Sequence, residues 1–232
     1  MAKLILLRHG QSVYNQKNIF TGWSDVDLSK QGKKEAKEAG ELLRKSGILP
    51  EVCFTSWLKR AIHTSQIVLK ELNWEQIDVI KSWKLNERHY GAWQGKDKNK
   101  IKKEVGEKMF LKIRRGYAAP PPPLEDGDKR LPQNEKKYQN LDIDILPKSE
   151  SLKDTKKRVV NYFYEKIAPY LSKNKTVLVS AHGNSLRALV MELEGISKKD
   201  VAKLEIPTGE LIVYEFDKTL KVESKNILKI KK

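Results

Sequence analysis

Short unbroken apolar runs recur along the chain and predict strands. Residues 4–7 read Leu-Ile-Leu-Leu, and residues 176–181 read Thr-Val-Leu-Val-Ser-Ala. Runs of this length with no polar alternation are typical of parallel strands buried on both faces of a sheet. The pattern predicts strands at residues 4–7, 52–55, 77–80, 176–181 and 211–216.

Segments with apolar residues at helical spacing separate these strands. One helix is predicted over residues 30–45, with Ser29 as its N-cap and Gly47 closing it. Another helix is predicted to follow Ser56 as far as residue 72, and two short helices are predicted within residues 96–116. A further helix is predicted over residues 151–170, and the last one follows residues 182–185 and continues through residue 193. Alternating strands and helices indicate an α/β fold, a three-layer αβα arrangement with a mostly parallel central sheet.

Residues 95–147 interrupt this alternation. After the two short Lys-rich helices come four prolines, residues 120–123, and then a stretch rich in Asp, Gly and Pro. A loop of this length inside a domain is usually functional or mobile. The segment has no apolar core of its own, so we expect one domain over residues 1–232, with residues 95–147 as an inserted helical and Pro-rich cover. The basic tail after Phe216 is expected to be either partly disordered or an ordered flap.

The charge balance is strongly basic, with 46 Lys and Arg against 30 Asp and Glu and a formal charge of +16. Such an excess suits an anionic partner: a nucleic acid, a membrane surface or a small phosphorylated metabolite. The lysines are scattered, as on a solvated surface, apart from short runs at residues 98–103 and 229–232. No run reaches membrane-spanning length, and no nucleic-acid motif is present. We expect a cytoplasmic protein, with nucleic-acid binding as the remote alternative.

Ionisable residues follow four of the predicted strands. Arg8 and His9 come directly after the first strand, and His182 follows residues 176–181. Arg60 lies near the start of the helix after the second strand, and Glu87 lies in the irregular segment after the third. Open α/β folds bind ligands at the carboxyl edge of the sheet. We therefore expect these five side chains to surround one crevice.

These residue types together favour phosphoryl transfer. Two arginines and two histidines can hold a tetrahedral dianion, and a neutral imidazole can attack phosphorus to form phosphohistidine. Glu87 would then protonate the leaving alkoxide and later deprotonate an incoming hydroxyl. Three structural alternatives remain open. His9 could be satisfied by a backbone carbonyl, Arg60 could be an exposed arginine, and Glu87 could form an ion pair that organises its loop.

A metal site is the competing use of paired histidines. Cys53 is the only cysteine, so a disulfide within the chain and a Cys-rich metal site are both excluded. No His-x-x-x-His spacing and no carboxylate cluster lie near His9 or His182, and the arginines oppose a cation electrostatically. We expect no metal.

Several longer motifs resemble a known family. Leu7-Arg8-His9-Gly10 paired with Ala181-His182-Gly183 resembles the histidine phosphatase superfamily. Within it, the chain is similar to the 2,3-bisphosphoglycerate-dependent phosphoglycerate mutases from Leu4 to about Phe216. The motifs that carry this narrower resemblance lie at residues 21–28, 55–61, 85–91, 114–116 and 182–187. Asn-Glu-Arg-His-Tyr-Gly at 86–91 and Arg-Arg-Gly at 114–116 are its specific parts, since Arg-His-Gly alone does not separate a mutase from a phosphatase.

The resemblance implies a role for each matching residue. His9 would be the phosphorylated nucleophile and Glu87 the acid/base, while Arg8, Arg60 and His182 clamp the phosphoryl group. The residues implied to bind the substrate are Asn15, Thr21, Gly22, Arg88, Tyr90, Lys98, Arg114, Arg115, Gly183 and Asn184. Gln11 departs from the family pattern, which has an acidic residue there, and this leaves the tuning of the site open.

The resemblance also implies an activity. The enzyme would interconvert 3-phosphoglycerate and 2-phosphoglycerate in glycolysis and gluconeogenesis. It would be primed by 2,3-bisphosphoglycerate, need no metal, and act on small phosphorylated three-carbon acids. A homodimer or homotetramer is implied as well. The alternative on the same scaffold is a phosphatase or a bisphosphoglycerate mutase.

Overall fold

The structure, a computed structural model, describes residues 1–229 and places six strands of that range in one sheet. The strands are β1 (Ala2–Arg8), β2 (Val52–Thr55), β3 (Val79–Lys81), β4 (Thr176–Ala181), β5 (Leu211–Phe216) and β6 (Val222–Leu228). Their order is β3-β2-β4-β1-β5-β6. The first four strands of this order are parallel, β5 is antiparallel to β1, and β6 is antiparallel to β5. The predicted mostly parallel sheet is confirmed.

The helices follow the predicted pattern with three differences. They are α1 (Val13–Gln16), α2 (Lys30–Ser46), α3 (Lys59–Glu71), α4 (Lys98–Val105), α5 (Glu107–Arg115), α6 (Leu152–Tyr162), α7 (Ala168–Leu171) and α8 (Gly183–Leu193). The sequence pattern does not predict α1, and a π-helical turn, Phe163–Ile167, separates α6 from α7. The assignment of Ser56 as an N-cap was wrong. Helix α3 begins at Lys59 with Leu58 as its N-cap, and the Ser56 hydroxyl contacts His182 Nε2 and the backbone N–H of Leu58.

Each face of the sheet carries its own apolar cluster, as the three-layer prediction requires. Leu4 and Leu6 of β1 point to the face covered by α6, α7 and α8. Ile5 and Leu7 point to the opposite face, which α2 and α3 cover. The period-2 alternation of a strand therefore buries all four aliphatic residues. This confirms the αβα fold and fixes β1 rigidly in the middle of the sheet.

Residues 95–147 pack against the rest of the domain through two small apolar clusters. In the first, Ile101, Phe110 and Ile113 of α4 and α5 join Phe20, Tyr90 and Trp93. In the second, Tyr138 and Leu146 join Trp23 and Trp83. The buried side chains of the segment are thus shared with the body, which is why the sequence alone shows no separate core for it.

The chain after Phe216 forms an edge strand rather than a disordered tail or a flap. Strand β6 pairs antiparallel with β5, with a register shift at Glu215 and Phe216. Lys225 forms an ion pair with Glu194. Charged residues along an edge strand discourage pairing with other chains, and they also hide the strand from a search for apolar runs. The last three residues of the basic run at 229–232 lie outside the described residues. None of the described helices is both long and apolar enough to span a membrane.

Candidate active site

The ends of β1 and β4 bring the two candidate histidines into contact. Arg8, the last residue of β1, is in register with Ala181, the last residue of β4. The next residues along, His9 and His182, therefore stand side by side, with ring centroids 4.9 Å apart and planes at 60°. The expectation that both strand ends meet at one edge of the sheet is confirmed.

His9 presents one ring nitrogen for chemistry. Its Nδ1 lies 2.7 Å from the carbonyl oxygen of Gly10. Because a carbonyl only accepts, Nδ1 carries the hydrogen and Nε2 carries the lone pair. Burial, reinforced by Arg60 and Arg8, holds the pKa of His9 well below its usual range. The imidazole is therefore neutral at physiological pH. The backbone carbonyl bond, set out above as an alternative to catalysis, is what leaves Nε2 unprotonated.

Arg60 is a buried cation held against His9. Its Nε donates a hydrogen bond to His9 Nε2 (3.3 Å), and its terminal nitrogens donate to the carbonyls of Ser24 (3.0 Å) and Gly22 (2.7 Å). The residue is only 1% exposed, so the alternative of an exposed arginine was wrong. Burial lowers its pKa to about 10, which leaves it charged at neutral pH. This guanidinium is placed to bind the oxygen atoms of an anion at Nε2.

His182 stands behind His9 and begins helix α8. Its Nε2 lies 2.7 Å from the hydroxyl of Ser56, and its Nδ1 is buried without a hydrogen-bond partner among the described residues. Burial and the neighbouring Arg60 hold its pKa well below the usual range, so this ring is neutral as well. Two uncharged imidazoles can pack against each other beside two arginines, whereas two imidazolium rings would repel.

Glu87 has one carboxyl oxygen fixed and one available. Its Oε1 accepts hydrogen bonds from the backbone N–H groups of Arg88 (2.8 Å) and Asn184 (3.0 Å). A proton on this carboxyl must therefore sit on Oε2. Oε2 and the Arg8 guanidinium both lie close to Gly183. A Cβ atom placed on this glycine would be 3.6 Å from each of them. The bonds of Glu87 go to backbone N–H groups, not to the ion pair considered above.

These side chains surround a cavity of about 200 Å³. Of the fifteen predicted site residues, all except His182 and Arg88 line it. Prediction from sequence missed six lining residues: Ile19, Phe20, Arg187, Glu205, Ile206 and Pro207. Arg187 could have been found, because it lies one helical turn after Gly183 on the same helix.

Arg88 lies behind the wall of the cavity rather than on it. The residue is fully buried, and its guanidinium donates to the carbonyls of Ile113 and Arg114 and to the hydroxyl of Tyr90. Carbonyls in the last turn of a helix lack intrahelical partners, and a cation there is favourable. Arg88 therefore holds the end of α5 in place, and with it Arg114 and Arg115, both of which reach the cavity.

The polar groups on the wall are arranged to donate. The Tyr90 hydroxyl accepts from Arg88 Nη2 (2.8 Å) and from Asn184 Nδ2 (3.2 Å), so both lone pairs are used and its hydrogen is free. The Oδ1 of Asn15 accepts from the N–H and hydroxyl of Ser12, which leaves the Nδ2 hydrogens for a ligand. The Thr21 hydroxyl has no partner among the described residues. Such a wall suits an anion with many oxygen atoms.

Comparison with known proteins identifies the family. Residues 4–130 and 125–226 match the family model of the histidine phosphatase superfamily (branch 1). The chain belongs to this superfamily. The match includes residues of all six strands and both histidine-bearing strand ends, so the resemblance inferred from the motifs is confirmed.

Relatives of known name cover nearly the entire chain. The 2,3-bisphosphoglycerate-dependent phosphoglycerate mutase of Nautilia profundicola is 50% identical over 97% of this chain and 98% of its own. The protein of the same name from a Hydrogenobaculum species is 52% identical over 98% of this chain and 92% of its own. Among solved structures, a mycobacterial glucosyl-3-phosphoglycerate phosphatase in complex with VO3 has a TM-score of 0.72 at 21% identity, covering 98% of this chain and 97% of its own. That structure shares the histidine phosphatase fold.

Gln11, which the sequence analysis set apart from the pattern of the resembled family, does not line the cavity. Its side-chain oxygen accepts from the hydroxyl of Ser29, and its backbone N–H donates to Glu35 (2.8 Å). Since Ser29 is the N-cap of α2, Gln11 supports the start of that helix. Among residues 1–229, no group of three or more His, Cys, Asp or Glu side chains is placed to hold a metal ion.

Lys98 is a cation on the cavity wall whose charge changes near physiological pH. Burial, with the nearby Arg114 and Arg8, lowers its pKa to about 8. A phosphomonoester is already dianionic above about pH 6, so above that pH only the protein changes charge. We expect the affinity for glycerol 2-phosphate to fall as pH rises through about 8, where Lys98 loses its proton. Calorimetric titrations on either side of this pKa would measure the fall.

Two matched variants test whether the pH dependence of binding comes from Lys98 rather than from another lysine of the same helix. Lys98→Met should bind more weakly at neutral pH and lose most of the pH dependence. Lys100→Met removes a lysine from the same helix that does not line the cavity, and it should behave like wild type. A steep fall in affinity near pH 8 that persists in Lys98→Met would contradict the assignment.

Glu205 is a second carboxylate, besides Glu87, on a cavity wall that is rich in cations. It forms an ion pair with Arg115, one of the cations available to an anionic ligand. A bound anion must compete with Glu205 for Arg115 and is repelled by it. We expect Glu205→Gln to tighten phosphate binding about fivefold, the equivalent of roughly 1 kcal/mol. Glu210→Gln, which lies off the wall, is the control, and unchanged or weaker binding in Glu205→Gln would contradict this.

Proposed function

We propose that the protein is a metal-independent phosphoglycerate mutase. It interconverts 3-phosphoglycerate and 2-phosphoglycerate in glycolysis and gluconeogenesis through a phosphohistidine at His9, primed by 2,3-bisphosphoglycerate. The observation that carries the proposal is the neutral His9 ring, whose unprotonated Nε2 accepts from the buried Arg60 in a cavity lined with cations. The name shared by relatives about half identical over the full chain supports the substrate class.

The first half of the reaction loads the enzyme. His9 Nε2 attacks one phosphorus of 2,3-bisphosphoglycerate, so that an N–P bond forms as the P–O bond to the substrate breaks. The proton on Glu87 Oε2 goes to the leaving oxygen, which departs as a hydroxyl group. Arg60 and Arg8 stabilise the negative charge spread over the transferring oxygens.

The second half reverses these steps on the other hydroxyl. Monophosphoglycerate in the opposite orientation places its free hydroxyl against the phosphohistidine, Glu87 takes the hydroxyl proton, and the N–P bond breaks as a new O–P bond forms. Lys98, Arg114 and Arg115 supply charge for the carboxylate and the second phosphate. This concentration of cations opposes a metal ion, and it supplies the charge that a metal would otherwise provide.

Residues 95–147 would act as a cover over this chemistry. They contribute Lys98, Arg114 and Arg115, so the substrate itself would hold the cover against the body. Exclusion of water favours transfer to a second hydroxyl over hydrolysis, and this separates a mutase from a phosphatase on the same scaffold. We also propose a cytoplasmic location and a homodimer or homotetramer, which the family resemblance supports and light scattering would test.

The deciding assay follows 3-phosphoglycerate turnover with and without 2,3-bisphosphoglycerate, in excess chelator. We expect isomerisation that depends on the primer, persists in chelator and exceeds phosphate release. Turnover that is lost in chelator and indifferent to primer would reject the proposal. Phosphate release as the main product would assign the phosphatase activity instead.

A further inference from the structure

A buried ion pair outside the cavity holds the loop that carries Glu87. Arg158 of α6 donates from Nε to Glu150 Oε1 (2.7 Å) and from Nη2 to Glu150 Oε2 (2.8 Å). The two side chains are 9% and 5% exposed. Neither residue lines the cavity, and neither has a part in the reaction described above.

The remaining donors of Arg158 all go to the backbone around Glu87. Nη1 donates to the carbonyls of Lys84 (2.8 Å) and Asn86 (3.0 Å), and Nη2 donates to the carbonyl of Glu87 (2.9 Å). All five N–H groups of the guanidinium are therefore used. No other residue type offers five donors in a fixed plane, so this arrangement is specific to arginine.

Glu150 holds the other side of the same loop. Its Oε2 accepts from the backbone N–H of His89 (2.8 Å), and its own N–H donates to the carbonyl of His89 (2.9 Å). Trp23 Nε1 donates to the Glu87 carbonyl (2.6 Å). The main chain on both sides of Glu87 is thus fixed in an irregular segment that has no helix or strand to define it.

A buried ion pair is a costly way to stabilise a fold. Apolar residues of similar volume often serve as well or better, because the two charges must be removed from water. The benefit of this ion pair is instead that it fixes the geometry of the segment around Glu87. With the backbone fixed on both sides and Oε1 held by two N–H groups, only one position is left for Glu87 Oε2.

We propose that Arg158 and Glu150 are positioning residues that set where Glu87 Oε2 stands relative to the phosphoryl group on His9. The proposal rests on the proposed function, in which Glu87 carries the proton. The proposal predicts that losing the ion pair affects some phosphoryl transfers and not others. Loss of the pair should slow only those transfers whose leaving oxygen needs a proton.

Two phosphoryl donors distinguish a positioning role from a structural one. From 2,3-bisphosphoglycerate the leaving group is an alkoxide, which needs a proton, whereas p-nitrophenyl phosphate releases a stable phenolate that does not. Rapid-quench measurement of His9 phosphorylation gives a rate for each donor. We expect Arg158→Lys to slow transfer from bisphosphoglycerate by about 10- to 100-fold, as a displacement of roughly 1 Å would. Transfer from p-nitrophenyl phosphate should stay within about twofold.

Control variants distinguish a failure of the positioning role from a failure of the proposed function. Glu87→Gln should show the same selective loss, and if it does not, the acid role of Glu87 fails. If Glu87→Gln is selective but Arg158→Lys slows both donors equally, or neither, the positioning role is overturned. Glu150→Gln is nearly isosteric and decides the question if Arg158→Lys does not fold. Arg130→Lys removes a comparable arginine that binds Asp128 and the Gln94 carbonyl, and it should leave both rates unchanged.

Discussion

His9→Ala is expected to abolish mutase activity, with turnover falling by more than about 10⁴-fold, as when other nucleophiles are removed. His182 cannot take over, because it does not line the cavity and its Nε2 is engaged with Ser56. The variant should also take up no acid-labile phosphate from ³²P-labelled 2,3-bisphosphoglycerate. Both effects share one cause, the loss of the imidazole whose unprotonated Nε2 is the nucleophile in the proposed reaction.

The matched control is His63→Ala. His63 is partly exposed and pairs with Asp27 away from the cavity wall, so the same substitution there should leave labelling and turnover unchanged. Persistent labelling of His9→Ala would mean that another residue is the nucleophile, and the proposed reaction would then be wrong at its first step.

Arg60→Met is expected to have the next largest effect, a loss of about 10³-fold or more in the rate of phosphohistidine formation. The substitution removes the buried charge in contact with His9 Nε2 and also leaves the carbonyls of Gly22 and Ser24 without their donor. Arg60→Lys keeps the positive charge but removes the planar guanidinium, and we expect a smaller loss in this rate, about 10²-fold. Single-turnover kinetics would measure both variants.

The pH dependence of Arg60→Met provides a second test. Arg60 helps to hold the pKa of His9 down, so its removal raises that pKa toward the usual range. Only the neutral ring attacks phosphorus, so the acid limb of the rate profile should move to higher pH than in wild type. Arg44→Met, on the exposed side of α2, is the control. A rate close to that of wild type, or an unmoved acid limb, would contradict the role assigned to Arg60.

The sequence predicted the reactive centre because strand ends follow a simple rule. A buried parallel strand can place the residues after it in only one position, so Arg8, His9 and His182 could be assigned to one edge of the sheet. Lys98 and the two arginines of α5 obey no such rule, and only the family resemblance pointed to them. Their position depends on how residues 95–147 pack against Phe20 and Trp93.

Buried polar residues were the hardest to assign. Arg88 and Arg158 both donate mainly to backbone carbonyls. Arg88 binds carbonyls at the end of α5, and Arg158 binds those of the segment around Glu87. Which carbonyls lack a partner is a property of the folded loop and is not visible in residue types. Ser56 shows the same difficulty, since its sequence context favours a helix cap while its hydroxyl contacts His182.

The strand order has a consequence for synthesis on the ribosome. Strand β1 is synthesised first, whereas its two neighbours in the sheet, β4 and β5, are synthesised late. Only the edge strand β6 follows them. The nascent chain must carry four exposed aliphatic residues for about 170 residues of elongation, roughly 10 to 35 s at ordinary rates. Chaperone dependence should therefore be greatest before β4 emerges. A stalled chain that ends before Thr176 should be protease-sensitive throughout β1, and one that extends past β5 should be protected.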